Sequence, residues 1–331
     1  MKILPIQTLI LMLVWALFST SPANAADNQF ASVRIGYFQN WPLPSQFSRV
    51  KRTYDSIMGV SVYWVPFESD RGMVDALESG EIQIAYSLGL APFVGALGRD
   101  AEVSMVGVAV TFPDHYPCVL REDSGMTLET ITQLEGQTVA VQSGGIAPAK
   151  MLTVLEQLGV DTGELKTLSM QDADEMILAL QTGEVVMVCA DAAILGQVKA
   201  HGRPLQDVIE SSSAKPILFD AIVVSDAFMR DHADLLQAFM DITEATNAQW
   251  RDNPDPMRAA ITRAAAMDPV SVENTMTGFG FPSASEQKSD AWLEGSVGSE
   301  VRSLAEFLQQ QGVLEMALDD YAPFISTRFL R

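Results

Sequence analysis

Residues 75–93 read Asp-Ala-Leu-Glu-Ser-Gly-Glu-Ile-Gln-Ile-Ala-Tyr-Ser-Leu-Gly-Leu-Ala-Pro-Phe. This order predicts the end of a helix, a glycine stop at Gly80, a short strand, and a turn that opens another helix. The turn residues Ser87, Leu88 and Gly89 are expected to leave backbone N–H groups free at the next helix start. Such groups, aligned with a helix dipole, bind carboxylate, sulfonate or phosphate without a basic side chain. The stretch therefore predicts an anion-holding cleft between a strand and a helix.

Short apolar strands and amphipathic helices alternate on both sides of this stretch as far as Val224. Strands are predicted at residues 33–37, 60–65, 82–86, 105–110, 138–141, 185–189 and 221–224. Helices are predicted at residues 46–58, 73–79, 147–158 and 172–181, and residues 226–311 are mostly helical. This alternation is typical of an α/β protein with mostly parallel sheets flanked by helices.

Two segments repeat the order helix, glycine, acid, strand. Residues 77–87 contain Ser-Gly-Glu-Ile, and residues 180–191 contain Thr-Gly-Glu-Val. The repeat predicts two lobes, and the carboxyl ends of their strands are expected to converge on one crevice. We expect residues 26–114 and 222–331 to form the first lobe and residues 115–221 the second.

The first 25 residues have the composition of an export signal. Lys2 precedes an apolar run at residues 6–18, and small residues follow up to Ala23-Asn24-Ala25. A membrane anchor is the alternative, but the apolar run is short for a spanning helix. We therefore expect cleavage before Ala26 and a periplasmic mature chain.

Charge and motif content exclude several classes of function. The 331 residues include 42 acids and 21 lysines and arginines, a formal net charge of −21, which argues against a nucleic-acid partner. The three histidines show no metal-ligand spacing, and no nucleophile elbow, phosphate loop or dinucleotide fingerprint is present. We expect neither an enzyme nor a bound cofactor or metal.

Cys118 and Cys189 are the two cysteines of the chain. In an oxidising compartment they can form a bridge, and the alternative is two buried free thiols. The export signal favours the bridge.

Charged residues at the predicted strand ends are candidates for ligand contacts. Arg71 begins a predicted helix, where its guanidinium can hold an anion, although a solvated surface arginine fits equally well. Asp220 stands among apolar neighbours beside a strand. A partly buried carboxylate needs a cationic or hydrogen-bonding partner such as a ligand ammonium group, and a turn cap is the alternative. Asp191 holds the equivalent place after residues 185–189, where capping the next helix is the simpler role.

Neutral and aromatic residues complete the predicted site. Aromatic rings at strand ends can wall a small ligand, with core packing as the alternative, and glycines let the backbone approach closely. The predicted ligand-binding residues are Gln39, Asn40, Trp41, Arg71, Ser87, Leu88, Gly89, Tyr116, Ser143, Gly144, Asp191 and Asp220.

Four motifs together resemble the taurine-binding periplasmic components of ABC importers. They are Ile35-Gly36-Tyr37-Phe38, residues 80–93, Phe219-Asp220 before a Val-Val strand, and Phe281-Pro282-Ser283 with Glu286-Gln287. The resemblance runs from about Val33 to the carboxyl end, and nitrate, alkanesulfonate and pyrimidine-precursor binders share it.

The resemblance implies a two-lobed type II periplasmic fold that closes on its ligand and delivers it to a membrane permease. Turn N–H groups at 87–90 then hold the acid end of the ligand, and Asp220 takes its ammonium group. The resemblance also favours the Cys118–Cys189 bridge. Two departures, Gly144-Gly145-Ile146-Ala147-Pro148 and Asp191, indicate that the ligand can differ from taurine.

These observations predict a monomeric solute-binding protein for taurine or a similar small amino-sulfonate. The alternatives are a binder of a betaine, alkanesulfonate, nitrate or pyrimidine precursor, a binding module of a sensor, and a transferase on the same fold.

Overall fold

The computed structural model describes residues 32–39, 41–111, 118–142, 151–152, 154–156, 158–190, 192–211, 219–310, 312 and 314–331. The predicted signal peptide lies outside these residues. None of the helices within the described ranges is both long and apolar enough to cross a membrane.

The strands of the two sheets come mostly from the first two thirds of the chain. They are β1 (Ser32–Phe38), β2 (Ser61–Phe67), β3 (Ile84–Gly89), β4 (Val103–Thr111), β5 (Cys118–Arg121), β6 (Thr138–Gln142), β7 (Lys166–Met170), β8 (Met187–Cys189), β9 (Gly202–Pro204) and β10 (Phe219–Ser225).

The helices flank these strands and make up most of the carboxyl-terminal part of the chain. They are α1 (Ser45–Val50), α2 (Thr53–Met58), α3 (Asp70–Glu78), α4 (Leu90–Leu97), α5 (Ala173–Thr182), α6 (Ala192–Val198), α7 (Leu205–Ser211), α8 (Asp226–Asp231), α9 (Ala233–Asp252), α10 (Asp255–Ala265), α11 (Pro269–Thr277), α12 (Ala284–Gln287) and α13 (Ser296–Gln310). Residues 151–152 and 154–156, between β6 and β7, are also helical.

The two sheets have the same topology. The first has the order β2-β1-β3-β10-β4 and the second the order β7-β6-β8-β5-β9. In each sheet the fourth strand, β10 or β5, pairs antiparallel with both neighbours, while the other strands run in one direction. The prediction of an α/β fold with two mostly parallel sheets is confirmed.

The chain passes between the sheets twice. It leaves the first sheet after Thr111 and enters the second at Cys118, then returns between Ser211 and Phe219. Residues 219–221, which the predicted boundary assigns to the second lobe, pair with β3 and β4 of the first sheet. Both reversed strands are therefore the first strands after a crossing.

The predicted internal repeat occupies equivalent places in the two sheets. Gly80 follows α3 with φ 76° and precedes β3, and Gly183 ends α5 with φ 78° and precedes β8. A left-handed residue stops a helix and lets the chain turn back into the sheet, and glycine adopts this conformation without a Cβ clash. The same local chemistry thus places the central strand of each sheet.

Strand β3 is longer than predicted. Residues 87–89, expected to form a turn, continue the strand, and Leu88 and Gly89 pair with β10, so the prediction of a turn there is wrong. Leu88 pairs with Ala221 and Tyr86 with Ile222, which leaves Ser87 as an extra residue with φ 70°. The segment is a β-bulge, which redirects the Ser87 side chain within the sheet.

The helix predicted at residues 46–58 is two helices. The chain breaks at Arg52, whose φ is 55°, between α1 and α2. Both halves dock on α9: the hydroxyls of Ser48 and Thr246 lie 2.6 Å apart, and those of Tyr54 and Thr243 lie 3.1 Å apart. The break lets both polar groups find buried partners on one long helix.

Gly36 of β1 leaves no room for a side chain. An added Cβ would lie 2.7 Å from Ile82 Cδ1, 3.0 Å from Met73 Cγ and 3.1 Å from Phe67 Cε2. Gly36→Ala is therefore expected to lower the free energy of unfolding by about 1–3 kcal/mol. Gly196→Ala in α6, where an added Cβ meets nothing within 4 Å, should instead raise it by up to about 1 kcal/mol. Urea unfolding of both variants measures the contrast, and equal stabilities would contradict it.

Candidate functional site

A cavity of about 430 Å³ lies where residues of the two sheets meet. Strand β1 ends at Phe38 and β2 at Phe67, and the residues that follow each strand face the cavity. The helical residues after β6 close the other side. The lining residues are Phe38, Gln39, Trp41, Pro66, Phe67, Glu68, Ser69, Asp70, Leu152 and Glu156. This is the position at which open parallel sheets bind ligands, beyond the carboxyl ends of the strands.

The loop after β1 is held by a buried amide. Gln46 Nε2 donates to the carbonyl of Trp41 at 2.8 Å and to that of Gln39 at 3.1 Å. The Trp41 ring packs on Phe279, with ring centroids 5.1 Å apart. These contacts give the aromatic and amide groups of the loop a defined place beside the cavity.

Asp70 is the most deeply buried charged residue in the lining. Ser69 caps α3 by accepting from the Gly72 N–H at 3.2 Å, and Asp70 follows as the first helical residue. Only 3 % of Asp70 is exposed, and its Oδ1 accepts from the Gly89 N–H at 2.9 Å. Burial, together with the nearby charge of Asp220, raises the pKa of the Asp70 carboxyl well above its ordinary value.

Glu156 approaches Asp70 from the segment that follows the second sheet's β6. Its Oε1 accepts from the Thr162 hydroxyl at 2.9 Å, and it lines the same cavity as Asp70. Burial raises the pKa of Glu156 as well. Two acids from distant parts of the chain thus face the same cavity.

Ser87 and Asp220 form a second buried polar pair behind this lining. The bulge at Ser87 directs its hydroxyl to Asp220 Oδ2, to which it donates at 2.6 Å. Asp220 is 1 % exposed and pairs in register with Gly89 across β3 and β10. Because Gly89 also donates to Asp70, the bulge connects both acids to one short segment of β3.

The structure brings some of the predicted site residues together and separates others. Gln39 and Trp41 line the cavity, while Ser87, Leu88, Gly89 and Asp220 are buried and absent from its described lining. The Gly89 N–H, expected to be free for a ligand anion, is taken by Asp70. Arg71 is exposed and absent from that lining as well. Asn40, Tyr116, Ser143, Gly144 and Asp191 lie outside the described residues.

Asp70 and Glu156 are the cavity residues that the sequence reasoning did not single out. Asp70 directly precedes Arg71 in the chain. Arg71 was chosen as the candidate in this segment because its guanidinium can hold an anion. Glu156 follows Leu152 by four residues, so both face the same side of a helical segment. Glu156 is the one acid in the mostly apolar stretch 151–158, and this was the sequence feature that could have identified it.

The predicted pairing of the two cysteines is confirmed. Cys118 of β5 and Cys189 of β8 lie opposite each other in the second sheet and form a disulfide. The bond joins the first strand after the chain crossing to the centre of that sheet. It lies just before residue 191, which the sequence placed at the crevice.

The fold and the cavity define the class of protein: two similar α/β sheets joined by two crossings, with a cavity between them. The alkanesulfonate-binding protein from Xanthomonas axonopodis pv. citri bound to MOPS has this fold, with a TM-score of 0.56 at 18% identity over 89% of this chain and 98% of that one. The periplasmic aliphatic sulphonate-binding protein from Escherichia coli aligns with a TM-score of 0.54 at 17% identity, over 87% of this chain and 95% of that one.

The sequence itself matches a known family. The chain belongs to the NMT1/THI5 like family, whose model matches residues 54–257. It is also 23% identical over 312 residues to the taurine-binding periplasmic protein of Escherichia coli (strain K12), covering 93% of this chain and 95% of that protein.

Proposed function

We propose that this chain is the periplasmic solute-binding component of an ABC importer. In this proposal it binds taurine or a similar small amino-sulfonate in the cavity between the sheets and delivers it to a membrane permease. The location of the cavity carries the proposal, because its lining comes from the strand ends of one sheet and from the segment after β6 of the other. A ligand there touches both halves of the chain and favours their closure.

The charge of the cavity supports a ligand with an amino group. Its ionisable residues, within the described part of the chain, are the acids Glu68, Asp70 and Glu156. Carboxylates in a partly buried site attract an ammonium group strongly. A taurine-binding relative and a fold neighbour bound to MOPS support a sulfonate at the other end of the ligand.

We assign the ammonium group to Asp70 and Glu156 in the lining, with Asp220 as a further carboxylate behind them. Asp70 accepts from the Gly89 N–H, and Asp220 is the cross-strand partner of Gly89, so both carboxyl groups lie at the same end of the cavity. The sulfonate is assigned to the predicted polar and glycine positions Asn40, Tyr116, Ser143 and Gly144, together with Gln39. Arg71 and Asp191 remain candidates for the rim of the site.

Closure in this proposal moves two lobes that correspond to the two sheets. The first contains residues 26–114 and 222–331, together with residues 219–221 at the start of β10, and the second contains residues 115–218. We expect a monomer in the periplasm after removal of residues 1–25, because one chain supplies both sides of the cavity.

Titration of the purified protein with taurine tests the proposal. Taurine at about 100 times its dissociation constant should stabilise the protein by about 2.7 kcal/mol, seen as a higher melting temperature. Ethanesulfonate, which lacks the amine, should bind much more weakly, and nitrate should have no effect. Calorimetry gives the affinities. If no sulfonate binds, the proposed ligand class is rejected. Binding of a betaine or a pyrimidine precursor would support the corresponding alternative ligand.

The same samples distinguish a binding protein from an enzyme. One fold hosts unrelated activities, so the fold by itself carries no argument on this point. Taurine recovered unchanged after long incubation, followed by nuclear magnetic resonance, is expected for a binding protein. Conversion of the bound ligand would support the transferase. Uptake of labelled taurine by cells that carry this protein with its permease separates an importer component from a sensor module.

A further inference from the structure

Aromatic rings form one wall of the cavity at the ends of β1 and β2. Phe38 and Phe67 are the last residues of these parallel strands and pair with each other in register. Register partners on neighbouring strands point to the same face of a sheet, and the strands lie about 5 Å apart. Both side chains line the cavity and are only half-buried. The two rings therefore present adjacent aromatic surfaces to a ligand.

Two further contacts extend this wall and fix its position. The chain turns after β1, where the Trp41 N–H donates to the Phe38 carbonyl at 3.3 Å, and the Trp41 indole lines the same cavity. The Phe67 ring packs closely over Gly36, because a Cβ added at Gly36 would lie 3.1 Å from Phe67 Cε2. Three rings from two short segments thus line one side of the cavity.

The acids of the cavity have part of their hydrogen-bonding capacity used by the protein itself. Asp70 Oδ1 accepts from the Gly89 N–H at 2.9 Å. Glu156 Oε1 accepts from the Thr162 hydroxyl, also at 2.9 Å. A primary ammonium group has three N–H donors, and each needs an acceptor when it is buried. An ammonium group whose hydrogens are replaced by methyl groups has no such need, and its charge is attracted to aromatic faces.

The size of the cavity also favours a bulky group on the nitrogen. Its volume of about 430 Å³ lies within the range of roughly 300 to 1,000 Å³ that proteins use for drug-sized ligands. Taurine, whose amine and sulfonate are joined by two carbons, is much smaller than such a ligand. Leu152 adds apolar surface on the side of the cavity that carries Glu156. Methyl groups on the nitrogen fill space that taurine leaves empty.

We propose that the cationic end of the ligand is an N-methylated ammonium group, held by the rings of Phe38, Trp41 and Phe67 and by the negative charge of Asp70 and Glu156. The sulfonate at the other end of the ligand rests on the proposed function, whereas recognition of the methylated cation rests on the cavity lining. The methyl groups contact the rings, and the positive charge is attracted both to the ring faces and to the acids.

Calorimetric titration with taurine and N,N,N-trimethyltaurine tests the proposal. The trimethylated ligand should bind about tenfold more tightly, because its methyl groups contact the rings and its charge remains. The carbon analogue 3,3-dimethylbutanesulfonate has the same shape with a neutral end, and it should bind about tenfold more weakly than N,N,N-trimethyltaurine. Taurine that binds as tightly as the trimethylated ligand would overturn the methylated cation and leave the proposed function standing. Equal affinity for the carbon analogue would overturn it as well, since apolar burial alone would then explain binding.

Phe67→Leu examines the aromatic wall, since leucine keeps an apolar side chain and removes the ring. The preference for N,N,N-trimethyltaurine over taurine should fall to about threefold or less. Phe47→Leu, at a half-buried phenylalanine of α1 outside the described lining, should keep the wild-type preference. Phe38→Leu provides the same test if Phe67→Leu does not fold. An unchanged preference in the variant of the cavity ring would overturn the aromatic contact.

Tetramethylammonium separates this inference from the proposed function, because it carries the methylated cation and no sulfonate. Its nuclear magnetic resonance signal at millimolar concentration should broaden with the wild type and broaden less with Phe67→Leu. If no sulfonate binds and tetramethylammonium does, the proposed function fails and the methylated cation stands. If neither binds, the methylated cation is overturned together with the proposed function.

Discussion

Asp70→Asn is expected to lower the affinity for taurine by about 2 to 4 kcal/mol, or roughly 30- to 700-fold. Asparagine has nearly the same shape, and its carbonyl oxygen can still accept from the Gly89 N–H that Asp70 binds at 2.9 Å. The variant therefore keeps the local structure and loses the carboxylate that we propose to face the ammonium group. Calorimetric titration with taurine measures the effect.

Comparing two ligands shows whether Asp70→Asn acts through the lost charge or through a change in structure. Affinity for ethanesulfonate should stay the same or rise, because that ligand has no ammonium group that could interact with the Asp70 carboxylate. Asp75→Asn on the same helix should bind taurine as the wild type does, since Asp75 is exposed. Wild-type taurine affinity in Asp70→Asn would remove this residue from the proposed site.

Asp220→Asn examines the acid that the sequence singled out. The carboxylate is almost fully buried behind the cavity lining and accepts from Ser87 at 2.6 Å. We expect its removal to weaken taurine binding in the same direction as Asp70→Asn, because charge acts over several ångströms in a poorly screened interior. Unchanged affinity would show that Asp220 stabilises the bulge at Ser87 and does not contribute to ligand binding.

Removal of the disulfide should have the largest effect on stability. Cys118 and Cys189 are 71 residues apart in the chain, and a cross-link of that span restricts the unfolded state by about 4 kcal/mol in the chain-entropy description. Cys118→Ser combined with Cys189→Ser should lower the free energy of unfolding by about this amount. Guanidinium unfolding of the variant, and of the wild type with and without reductant, provides the measurement.

The two samples that lack the disulfide should have similar stabilities. Reduced wild type and the double serine variant are expected to unfold at similar denaturant concentrations, both below the oxidised wild type. If the oxidised and reduced wild type unfold together, the bond contributes nothing to stability. Taurine binding by the double variant would show in addition that the second sheet forms without its cross-link.

Strands that contain mostly apolar or alternating apolar residues were predicted well. Residues 33–37, 138–141 and 221–224 all lie inside strands of the structure. The missed strands are β5, β7 and β9, and each has a local reason. Strand β7 reads Lys-Thr-Leu-Ser-Met on the edge of its sheet, β9 has three residues including a proline, and β5 has four residues directly after the first crossing between the sheets. Edge and very short strands depend on their neighbours for pairing, so their own residues carry a weak signal.

The predicted site residues lie in different places in the structure for a related reason. Strand ends can be located from the pattern, and this brought Gln39 and Trp41 to the cavity. The free N–H groups at 87–89 were inferred from small residues alone. Their pairing with β10 and the capture of the Gly89 N–H by Asp70 depend on residues far away in the chain.

Local chemistry along the chain determined the alternation of strands and helices, the glycine stops at Gly80 and Gly183, and the bonding potential of two cysteines in a chain predicted to be exported. These follow from backbone geometry and side-chain periodicity over a few residues. The tertiary structure decided which polar groups meet. Asp70 accepts from Gly89 and interacts electrostatically with Asp220 and Glu156 because three separate elements converge behind the strand ends, and burial there raises the pKa of Asp70 and of Glu156. Contacts of this kind depend on the packing of whole sheets, which no short stretch of sequence specifies.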